Sequence, residues 1–193
     1  EGPMPQTRFV LKKALELSLP VIIVINKTDR PDARCDEVLD ETLELLLDLD
    51  ATDEQLDSPV IYASGRAGTA TTDWRKPGTD LRPLFDCIME HIPAPEGDPD
   101  ESLQLLVSTI DYNEYVGRIG VGRIERGTIK TNMMAIRCVY GSGFVSAPMR
   151  LAGLFTYDGL KRVPADEVKV GDIVAISGFP DLLIGDTICN VAM

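Results

Sequence analysis

Residues 21–29 read Val-Ile-Ile-Val-Ile-Asn-Lys-Thr-Asp, so a short apolar run ends in an Asn-Lys-x-Asp tetrapeptide. A short apolar run of this kind is typical of a buried strand in a parallel sheet. Open α/β sheets bind their ligands at the carboxyl ends of such strands, which is where the tetrapeptide falls. The stretch therefore predicts an α/β domain with a binding loop that begins at Asn26.

The side chains of this loop suit a guanine base. The Asp29 carboxylate can accept two hydrogen bonds, from N1–H and from the 2-amino group, while Asn26 can engage N7 and the Lys27 stem can lie along the base plane. Adenine lacks that pair of donors. We expect a buried carboxylate, left unpaired against adenine, to discriminate by roughly 10⁴ or more. The loop therefore predicts binding of GTP or GDP.

A second apolar run, Val60–Ala63, ends in Ser64-Gly65. A helix predicted over about 36–49 separates the two runs, which is the spacing of a crossover between parallel strands. The second loop should therefore lie beside the first. We expect the backbone at Ser64-Gly65 to close over the guanine O6 atom.

Two further helices are predicted in the first half of the chain, over about 6–17 and 81–92. Apolar residues recur at helical spacing in the first helix at Phe9, Val10, Ala14 and Leu17, and in the second at Leu81, Leu84, Phe85, Ile88, Met89 and Ile92. Residues 65–80 are rich in turn formers. Strands that alternate with helices favour a parallel sheet.

Residues 93–100 read Pro-Ala-Pro-Glu-Gly-Asp-Pro-Asp, a composition typical of a stiff, exposed linker. Beyond it the helical period disappears, and β-rich runs separated by glycine turns predict a small closed barrel. These runs are Leu105–Ile110, Val116–Ile124, Met134–Val139 and Ile173–Ser177. Gly117, Gly120, Gly122 and Gly127 predict bulges or close backbone approach. We place the boundaries at 1–93, 94–101 and 102–193.

The net charge of −12 is confined to the first half of the chain. Residues 1–101 hold 10 Lys and Arg against 22 Asp and Glu, whereas residues 102–193 hold 9 of each kind. In the second half Arg118, Arg123, Arg126 and Lys130 surround a single acid, Glu125. This local basic patch could meet phosphate, and an ordinary solvated strand face explains it equally well.

Other features indicate a soluble, cytoplasmic protein. No apolar stretch approaches the roughly 20 residues that span a bilayer, and no basic-then-apolar leader is present. The four cysteines, Cys35, Cys87, Cys138 and Cys189, form no C-x-x-C pair, so we interpret them as buried thiols and assign no metal ligand. Tyr112, Tyr115 and Tyr140 could stack on bases, but aromatic residues on barrel strands more often pack inward.

Two longer phrases extend the pattern beyond the guanine loop. Residues 49–57 read Leu-Asp-Ala-Thr-Asp-Glu-Gln-Leu-Asp, and residues 111–120 read Asp-Tyr-Asn-Glu-Tyr-Val-Gly-Arg-Ile-Gly. Together with residues 1–8, 26–31 and 122–127, they make the whole chain resemble the translational GTPases, and within them the ribosome-associated BipA or TypA subfamily. The 49–57 phrase resembles that subfamily more than elongation factor G or LepA.

The resemblance implies a fold in two parts. Residues 1–93 are similar to the C-terminal portion of a P-loop GTPase domain, and residues 102–193 to an all-β translation-factor barrel, domain II. In the second guanine loop of GTPases the usual Ser-Ala contacts guanine O6 through a backbone N–H. Gly65 replaces that Ala here and makes the loop less rigid.

The resemblance also implies a function and partners. The whole protein is expected to bind GTP with Mg²⁺, to hydrolyse it on the ribosome at the site shared with elongation factors, and to act in ribosome assembly, translation and stress or cold adaptation. Its barrel is expected to contact small-subunit ribosomal RNA, with Arg118, Arg123, Arg126 and Lys130 as candidates. Neither a membrane nor DNA is an expected partner.

Several parts of a GTPase site are missing from the sequence. Neither the phosphate-loop motif G-x-x-x-x-G-K-[ST] nor Asp-x-x-Gly occurs. We therefore expect the phosphate loop, both switches, the magnesium ligands and the catalytic His to lie upstream, so no catalytic or metal residue is assigned here. A chain truncated in this way is expected to bind GTP poorly, through a loose guanine half-site, and to hydrolyse none. His91 is interpreted instead as meeting the negative end of its own helix.

Three alternatives remain open from the sequence. The barrel could be a ribosomal-RNA-binding module in a protein whose GTPase role is minor. The chain could belong to another translational GTPase, of the elongation factor G or LepA type. The third alternative is a signalling or trafficking GTPase with a fused β-domain. The 49–57 phrase and the 111–127 hairpin argue against it.

Overall fold

The structure, a computed structural model, describes residues 1–191. It divides into two compact units, Glu1–Pro93 and Ala94–Met193. Across the described residues, no helix combines the length and the apolar character needed to cross a membrane.

The first unit is an α/β structure with a small sheet. In chain order its elements are α1 (Pro5–Glu16), β1 (Ile23–Ile25), α2 (Cys35–Asp48), α3 (Asp53–Leu56), β2 (Val60–Ser64), β3 (Thr69–Thr71) and α4 (Arg82–His91). β1 and β2 run parallel, with Ile23 opposite Val60 and Ile25 opposite Tyr62. The predicted parallel pair and the helix that connects it are confirmed.

β3 lies in the stretch that was predicted to be rich in turns, and no strand was predicted there. It pairs antiparallel with β2, so the strand order is β1-β2-β3. A tight turn joins the two strands, and Gly68 adopts the left-handed φ of 69° within it. The strand is only three residues long, Thr-Ala-Thr, with Ala70 buried. So short a strand carries too little periodicity to stand out among turn residues.

The sheet of the first unit is covered on both faces. On one face Ile25 and Tyr62 pack in a cluster with Leu15 of α1 and Leu46 of α2. On the other face Ile61, Ala63 and Ala70 pack with Cys87 of α4. Successive residues of β2 point to opposite faces, so the strand supplies both clusters. Burial on both faces explains why the β2 sequence is a nearly continuous apolar run, whereas in β1 the outward-facing Val24 is 42% exposed.

Several apolar residues that mark α1 and α4 in the sequence are exposed. Phe9, Val10 and Leu17 of the α1 region are 67%, 65% and 69% exposed, and Phe85 and Met89 of α4 are 55% and 82% exposed. The apolar spacing predicted the helices correctly, but it did not predict which of their residues are buried. A three-stranded sheet is narrower than the apolar surface that these helices carry.

The second unit is a β-barrel. Its strands are β4 (Gln104–Asn113), β5 (Gly117–Arg126), β6 (Thr128–Lys130), β7 (Met134–Cys138), β8 (Met149–Arg150), β9 (Gly153–Asp158), β10 (Lys161–Pro164), β11 (Glu167–Lys169), β12 (Ile173–Ser177) and β13 (Thr187–Asn190). The main sheet has the order β10-β9-β12-β5-β4-β13-β7-β8, and β6 pairs with β11.

The chain between β8 and β9 closes the barrel. Leu151 N donates to Met133 O beside β7, and Ala152 N donates to Ser177 O at the end of β12, each at 2.9 Å. One continuous segment therefore joins the two sides of the sheet. The predicted closed barrel, and with it the fold class of an α/β domain followed by an all-β barrel, is confirmed.

The barrel interior is filled with aliphatic side chains. Its fully buried members include Leu105, Val107, Ile124, Val174, Ile176 and Ile188. The glycines of β5 allow the strands to approach closely, because a Cβ at Gly122 would lie 1.9 Å from Leu106 O. A register irregularity falls between Val107 and Thr109 of β4. The predicted bulge and close approach are confirmed.

Residues 94–100 are exposed, but their backbone is bonded to the barrel. Gly127 N donates to Asp98 O at 2.9 Å, and Thr128 Oγ1 donates to Pro99 O at 2.8 Å. Gly127, with a φ of 75°, supplies the turn between β5 and β6 that makes the first bond possible.

The cysteines behave as buried thiols. Cys35, Cys87 and Cys189 are buried, and Cys138 is partly buried. Burial raises the pKa of the Cys189 thiol to about 11, and the neighbouring Cys138 adds to the rise. Burial likewise raises the pKa of Cys35 and Cys87. These thiols stay protonated at neutral pH, which agrees with the structural interpretation of the sequence.

Candidate functional site

The two predicted guanine loops lie side by side. Residues 26–29 follow β1 directly, and Ser64-Gly65 falls at the end of β2, whose Tyr62 is opposite Ile25. Both loops therefore leave the same edge of the sheet, at the carboxyl ends of neighbouring parallel strands. That edge is where open α/β sheets bind ligands.

Hydrogen bonds join the loops. Gly65 N donates to the Asn26 side-chain Oδ1 at 3.0 Å. Thr28 bonds twice to the same acceptor, because its backbone N and its Oγ1 each lie 3.2 Å from Ala63 O. Thr28 was not singled out from the sequence, since only the fold shows that Ala63 O lies beside it. Its two bonds fix the middle of the Asn-Lys-x-Asp loop against β2.

Lys27 has a left-handed backbone, with a φ of 64°. A residue other than glycine rarely adopts this conformation, and strained backbone of this kind clusters at ligand sites. The turn at Lys27 separates Asn26, which bonds to Gly65, from Asp29. Both Lys27 and Asp29 are exposed. Both side chains are therefore accessible from solvent.

Ser64 organises the Asp29 carboxylate. The Ser64 side chain is buried, and its Oγ accepts a hydrogen bond from Ala67 N at 3.1 Å. A hydrogen bond from Ser64 is the main cause that lowers the pKa of Asp29, followed by the backbone of Asp29 itself. The cations Arg66 and Arg30 lower it further. The lowered pKa keeps the carboxylate charged to a lower pH than that of an ordinary Asp.

One assumption of the sequence analysis is wrong, because the Asp29 carboxylate is exposed rather than buried. Its lowered pKa comes mainly from Ser64, with a smaller part from two nearby cations. Arg66 follows Ser64-Gly65 directly, so its position in the sequence could have indicated this role. Desolvation of Asp29, and with it the full discrimination against adenine, requires a ligand to cover the carboxylate.

Gly65 leaves room for the more usual alanine. A Cβ placed on Gly65 would lie 3.7 Å from the nearest Asn26 side-chain atoms, which is an ordinary van der Waals distance. Its φ is outside the left-handed region. The glycine therefore makes this loop more flexible without serving a steric need.

His91 lies in the last turn of α4, as its position in the sequence predicted. Its Nδ1 lies 3.0 Å from Cys87 O in the last turn of α4. An imidazole at this point faces the negative end of the helix. The predicted position of His91 at the end of its helix is confirmed.

The four candidate RNA-binding residues of the barrel all have polar partners. Arg123 bonds to Glu125 at 3.1 and 2.9 Å, and Lys130 pairs with Glu167 at 2.8 Å. The Arg126 guanidinium donates to Gln104 Oε1 at 3.0 and 2.6 Å and lies 3.8 Å from a Glu101 oxygen. The Arg118 guanidinium donates to Leu182 O at 2.7 Å.

These partners show that the basic residues do not form one patch around a single acid, as the sequence had suggested. Glu101 and Glu167 join Glu125, and they come from parts of the sequence that only the fold brings close. Arg118 and Arg126 also stand eight residues apart on one strand, a rise of about 27 Å. Exposed ion pairs are typically worth only about 0–1 kcal/mol, so a phosphate could still displace the acids.

A buried ion pair in the barrel was not predicted. Arg137 Nε donates to Asp186 Oδ2 at 2.5 Å, and their side chains are only 11% and 3% exposed. The same oxygen accepts from Leu183 N at 2.7 Å. Forty-nine residues separate the two partners, so no local pattern in the sequence reveals the pair.

Comparison with known protein families matches both units. A model described as the elongation factor Tu GTP-binding domain matches residues 1–94, and one described as elongation factor Tu domain 2 matches residues 117–189. Among solved structures, the elongation factor SelB from Methanococcus maripaludis aligns with a TM-score of 0.72 over 100% of this chain and 38% of that chain. Its sequence identity of 16% supports the fold alone.

Curated relatives share much more sequence. The large ribosomal subunit assembly factor BipA of Bacillus subtilis is 47% identical over 192 residues, which is 99% of this chain. The proteins of the same name from Salmonella typhimurium and from Synechocystis are 47% and 45% identical over 98% and 97% of this chain. The chain spans 31% of the length of each of these three relatives.

Proposed function

This chain belongs to the BipA branch of the translational GTPases, and from that premise we propose that the whole protein binds and hydrolyses GTP on the ribosome. The observation that carries the proposal is the joining of the two guanine loops, in which Gly65 N donates to Asn26 Oδ1 and Thr28 donates to Ala63 O. The curated relatives are named as assembly factors of the large ribosomal subunit. We extend that role, and the cytoplasmic location that goes with it, to this protein.

In the proposed guanine site each residue has one task. Asp29 accepts hydrogen bonds from N1–H and the 2-amino group, and the Asn26 amide engages N7. Lys27 covers the base plane with its stem. The backbone N–H of Gly65 donates to O6 when the base is bound, in exchange for its bond to Asn26 Oδ1. Because Asn26 and Asp29 flank a fixed turn, a base that enters finds its partners already oriented, which lowers the entropic cost of binding.

The phosphates and Mg²⁺ are assigned to no residue of this chain. Among residues 1–191 there is no group of three or more His, Cys, Asp or Glu side chains that could hold a metal ion, and the sequence has no phosphate-loop motif. A magnesium ion would neutralise the charge that develops on the phosphates. The residues described here select the base, and the proposal derives no chemical step from them.

We expect the 193-residue chain alone to hydrolyse no GTP, in contrast to the whole protein with ribosomes. The measurement is phosphate release from GTP with and without purified ribosomes. Ribosome-stimulated release by the whole protein, absent from its Asn26→Ala variant, would support the proposed function. Hydrolysis by the 193 residues alone would show that the chemistry lies within them. Hydrolysis by neither protein would reject the GTPase assignment.

The barrel is proposed to bind ribosomal RNA through Arg118, Arg123, Arg126 and Lys130, with the small subunit as the proposed contact. Arg123, Arg126 and Lys130 have side chains that are 53%, 48% and 62% exposed. Their ion pairs can reopen at low cost. Arg118 differs, because its bond to Leu182 O holds a loop of the barrel. A role in stress or cold adaptation, which the family resemblance implies, stays a prediction.

Changing both Arg123 and Arg126 to Gln is expected to weaken ribosome binding and to lower its dependence on salt. Each phosphate contact that is lost should lower the slope of log K against log salt by about 0.7–0.9. Glu125→Gln should act in the opposite direction, because it releases Arg123 from its bidentate acid. Co-sedimentation with ribosomes at several salt concentrations measures both effects. An unchanged slope in the double variant would reject these arginines as RNA contacts.

A further inference from the structure

A small cavity lies where the β4–β5 hairpin meets the loop after β12. Its volume is about 320 Å³. The hairpin lines it with Tyr112, Val116, Gly117 and Arg118, and the loop lines it with residues 178–180. The cavity belongs entirely to the second unit and shares no residue with the guanine loops. It has no part in the site described above.

Two flat side chains project on the same side of the hairpin at this cavity. Tyr112 and Arg118 are directly opposite each other in the antiparallel register. Residues opposite each other in such a pair project to the same face, with Cβ atoms about 4.5–5.5 Å apart. The bond from Arg118 to Leu182 O fixes the guanidinium and uses one of its five N–H donors. The guanidinium of Arg118 is therefore held in place beside the exposed ring of Tyr112.

The remaining lining combines an apolar base with open backbone. Phe179 is 1% exposed and closes the bottom of the cavity. Gly117 has a left-handed φ of 79°, and the position that a Cβ would take there is open space. No side chain of this residue therefore blocks the rim of the cavity.

The tyrosines of this hairpin do not pack inward, contrary to the more common behaviour assumed in the sequence analysis. Tyr112 is 68% exposed, and Tyr115, three residues further on, is 96% exposed. Hairpin residues Asn113 and Val116 shape the turn between them, since Val116 N donates to Asn113 O. Exposed aromatic side chains beside a cavity are surfaces on which a planar ligand can stack.

We propose that this cavity binds one unstacked nucleobase of single-stranded RNA. The proposal rests on the proposed ribosomal function, which brings RNA to the barrel, and it adds base recognition to the phosphate contacts proposed above. Aromatic rings and guanidinium planes stack on splayed-out RNA bases. The volume is near the lower limit of small-ligand pockets, which suits a single base. Apolar peptides, the competing class of ligand, are recognised by several spaced anchors rather than by one compartment.

Binding of a short single-stranded RNA, followed by fluorescence anisotropy at several salt concentrations, tests the proposal. The second probe is the same oligomer with abasic residues. Tyr112→Ala is expected to weaken binding of the base-containing RNA by about fivefold or more, and Tyr112→Phe by less than about twofold, because Phe keeps the stacking face. Neither variant should change the salt slope, since no phosphate contact is lost.

Tyr157→Ala is the matched control. Tyr157 also stands opposite an arginine, Arg162, across the β9–β10 hairpin, but it does not line the cavity. Thermal melts show whether each variant remains folded. The proposal is overturned if wild-type protein binds the base-containing and abasic RNAs equally, or neither of them. It is also overturned if Tyr157→Ala weakens binding as much as Tyr112→Ala, or if an apolar peptide displaces the RNA.

The two proposals can fail separately. The wild-type protein could co-sediment with ribosomes and yet show no preference for base-containing RNA. That result would reject base binding by the cavity and leave the ribosomal function in place. A base preference that Tyr112→Ala abolishes, in a protein that does not co-sediment with ribosomes, would support the cavity and reject the ribosomal function.

Discussion

Replacing Asp29 with Asn is expected to change the base preference of the whole protein from guanine to xanthine. The Asp29 carboxylate accepts from both N1–H and the 2-amino group of guanine. An Asn amide keeps one acceptor and offers a donor instead, which matches the carbonyl that xanthine carries at C2. The substitution affects both hydrogen bonds that guanine donates to the charged group, so guanine affinity should fall by about 100-fold or more.

The pH dependence of guanine binding follows from the lowered pKa of Asp29. The hydrogen bond from Ser64 is the main cause of that shift, and it favours the charged carboxylate. A carboxyl group whose folded pKa is lowered stays ionised above its ordinary pKa, and its contribution is lost only as the pH falls through the lowered value. Guanine binding should therefore be constant across neutral pH. In Ser64→Ala its loss on acidification should begin at a higher pH.

The measurement is the binding of labelled GDP with xanthosine diphosphate as competitor. Asp40→Asn is the matched control, because Asp40 is an equally exposed carboxylate on α2, outside both guanine loops. In the control, the preference for guanine should be unchanged. If Asp29→Asn retained full affinity for GDP, or if Asp40→Asn lost it as well, the guanine site would not be where the two loops meet.

The sequence predicted those parts of the fold that rest on local pattern. The apolar runs before Asn26 and Ser64, and the helical spacing between them, were enough to place both loops at one edge of a parallel sheet. The glycines around Gly122 were enough to indicate close strand approach in the barrel. In each case the residues that decide the structure are neighbours in the chain, or one crossover apart.

What the sequence did not predict depends on contacts between distant residues. Thr28 meets Ala63 O, and Lys130 meets Glu167, only after the chain has folded. The exposure of Asp29 was also misjudged, because residue types indicate the chemistry of a carboxylate and not its depth. The same limit applies to Met89, whose helical spacing gave no information on how much of α4 the small sheet would cover.

Replacing Asp186 with Ala is expected to destabilise the barrel by about 3–5 kcal/mol. The change leaves the Arg137 guanidinium buried without its carboxylate, and removing one partner of a buried ion pair has costs of this size. It also removes the acceptor for Leu183 N. The backbone of residue 186 belongs to the barrel wall, because Val107 N donates to Asp186 O at 2.9 Å. A disturbance at this position therefore affects the packing of the barrel core.

The double variant Arg137→Met with Asp186→Leu should recover most of the lost stability. Apolar side chains of similar size replace a buried pair at little net cost, because no charge then remains desolvated. The comparison of Arg137→Met alone and Asp186→Leu alone with the double variant isolates the interaction between the two residues. A double variant less stable than either single variant would show that the pair has a further structural role.

The two units need separate probes, since a chain with two units need not unfold in one step. Trp74 is the single tryptophan and lies in the first unit, so its fluorescence serves as an internal control. Hydrogen exchange of the β5 and β12 amides reports on the barrel. For a unit of this size the barrel transition of Asp186→Ala should fall by about 12 °C or more. The Trp74 transition should stay in place.

Glu167→Ala provides the comparison with an exposed pair in the same barrel. Lys130 and Glu167 lie 2.8 Å apart, but their side chains are 62% and 40% exposed. Water and salt screen such a pair, so its loss should cost less than about 1 kcal/mol. The difference between the two variants then measures what burial adds to an ion pair of similar geometry. Equal losses from Asp186→Ala and Glu167→Ala would contradict the assignment of Arg137 and Asp186 as a buried pair that the barrel depends on.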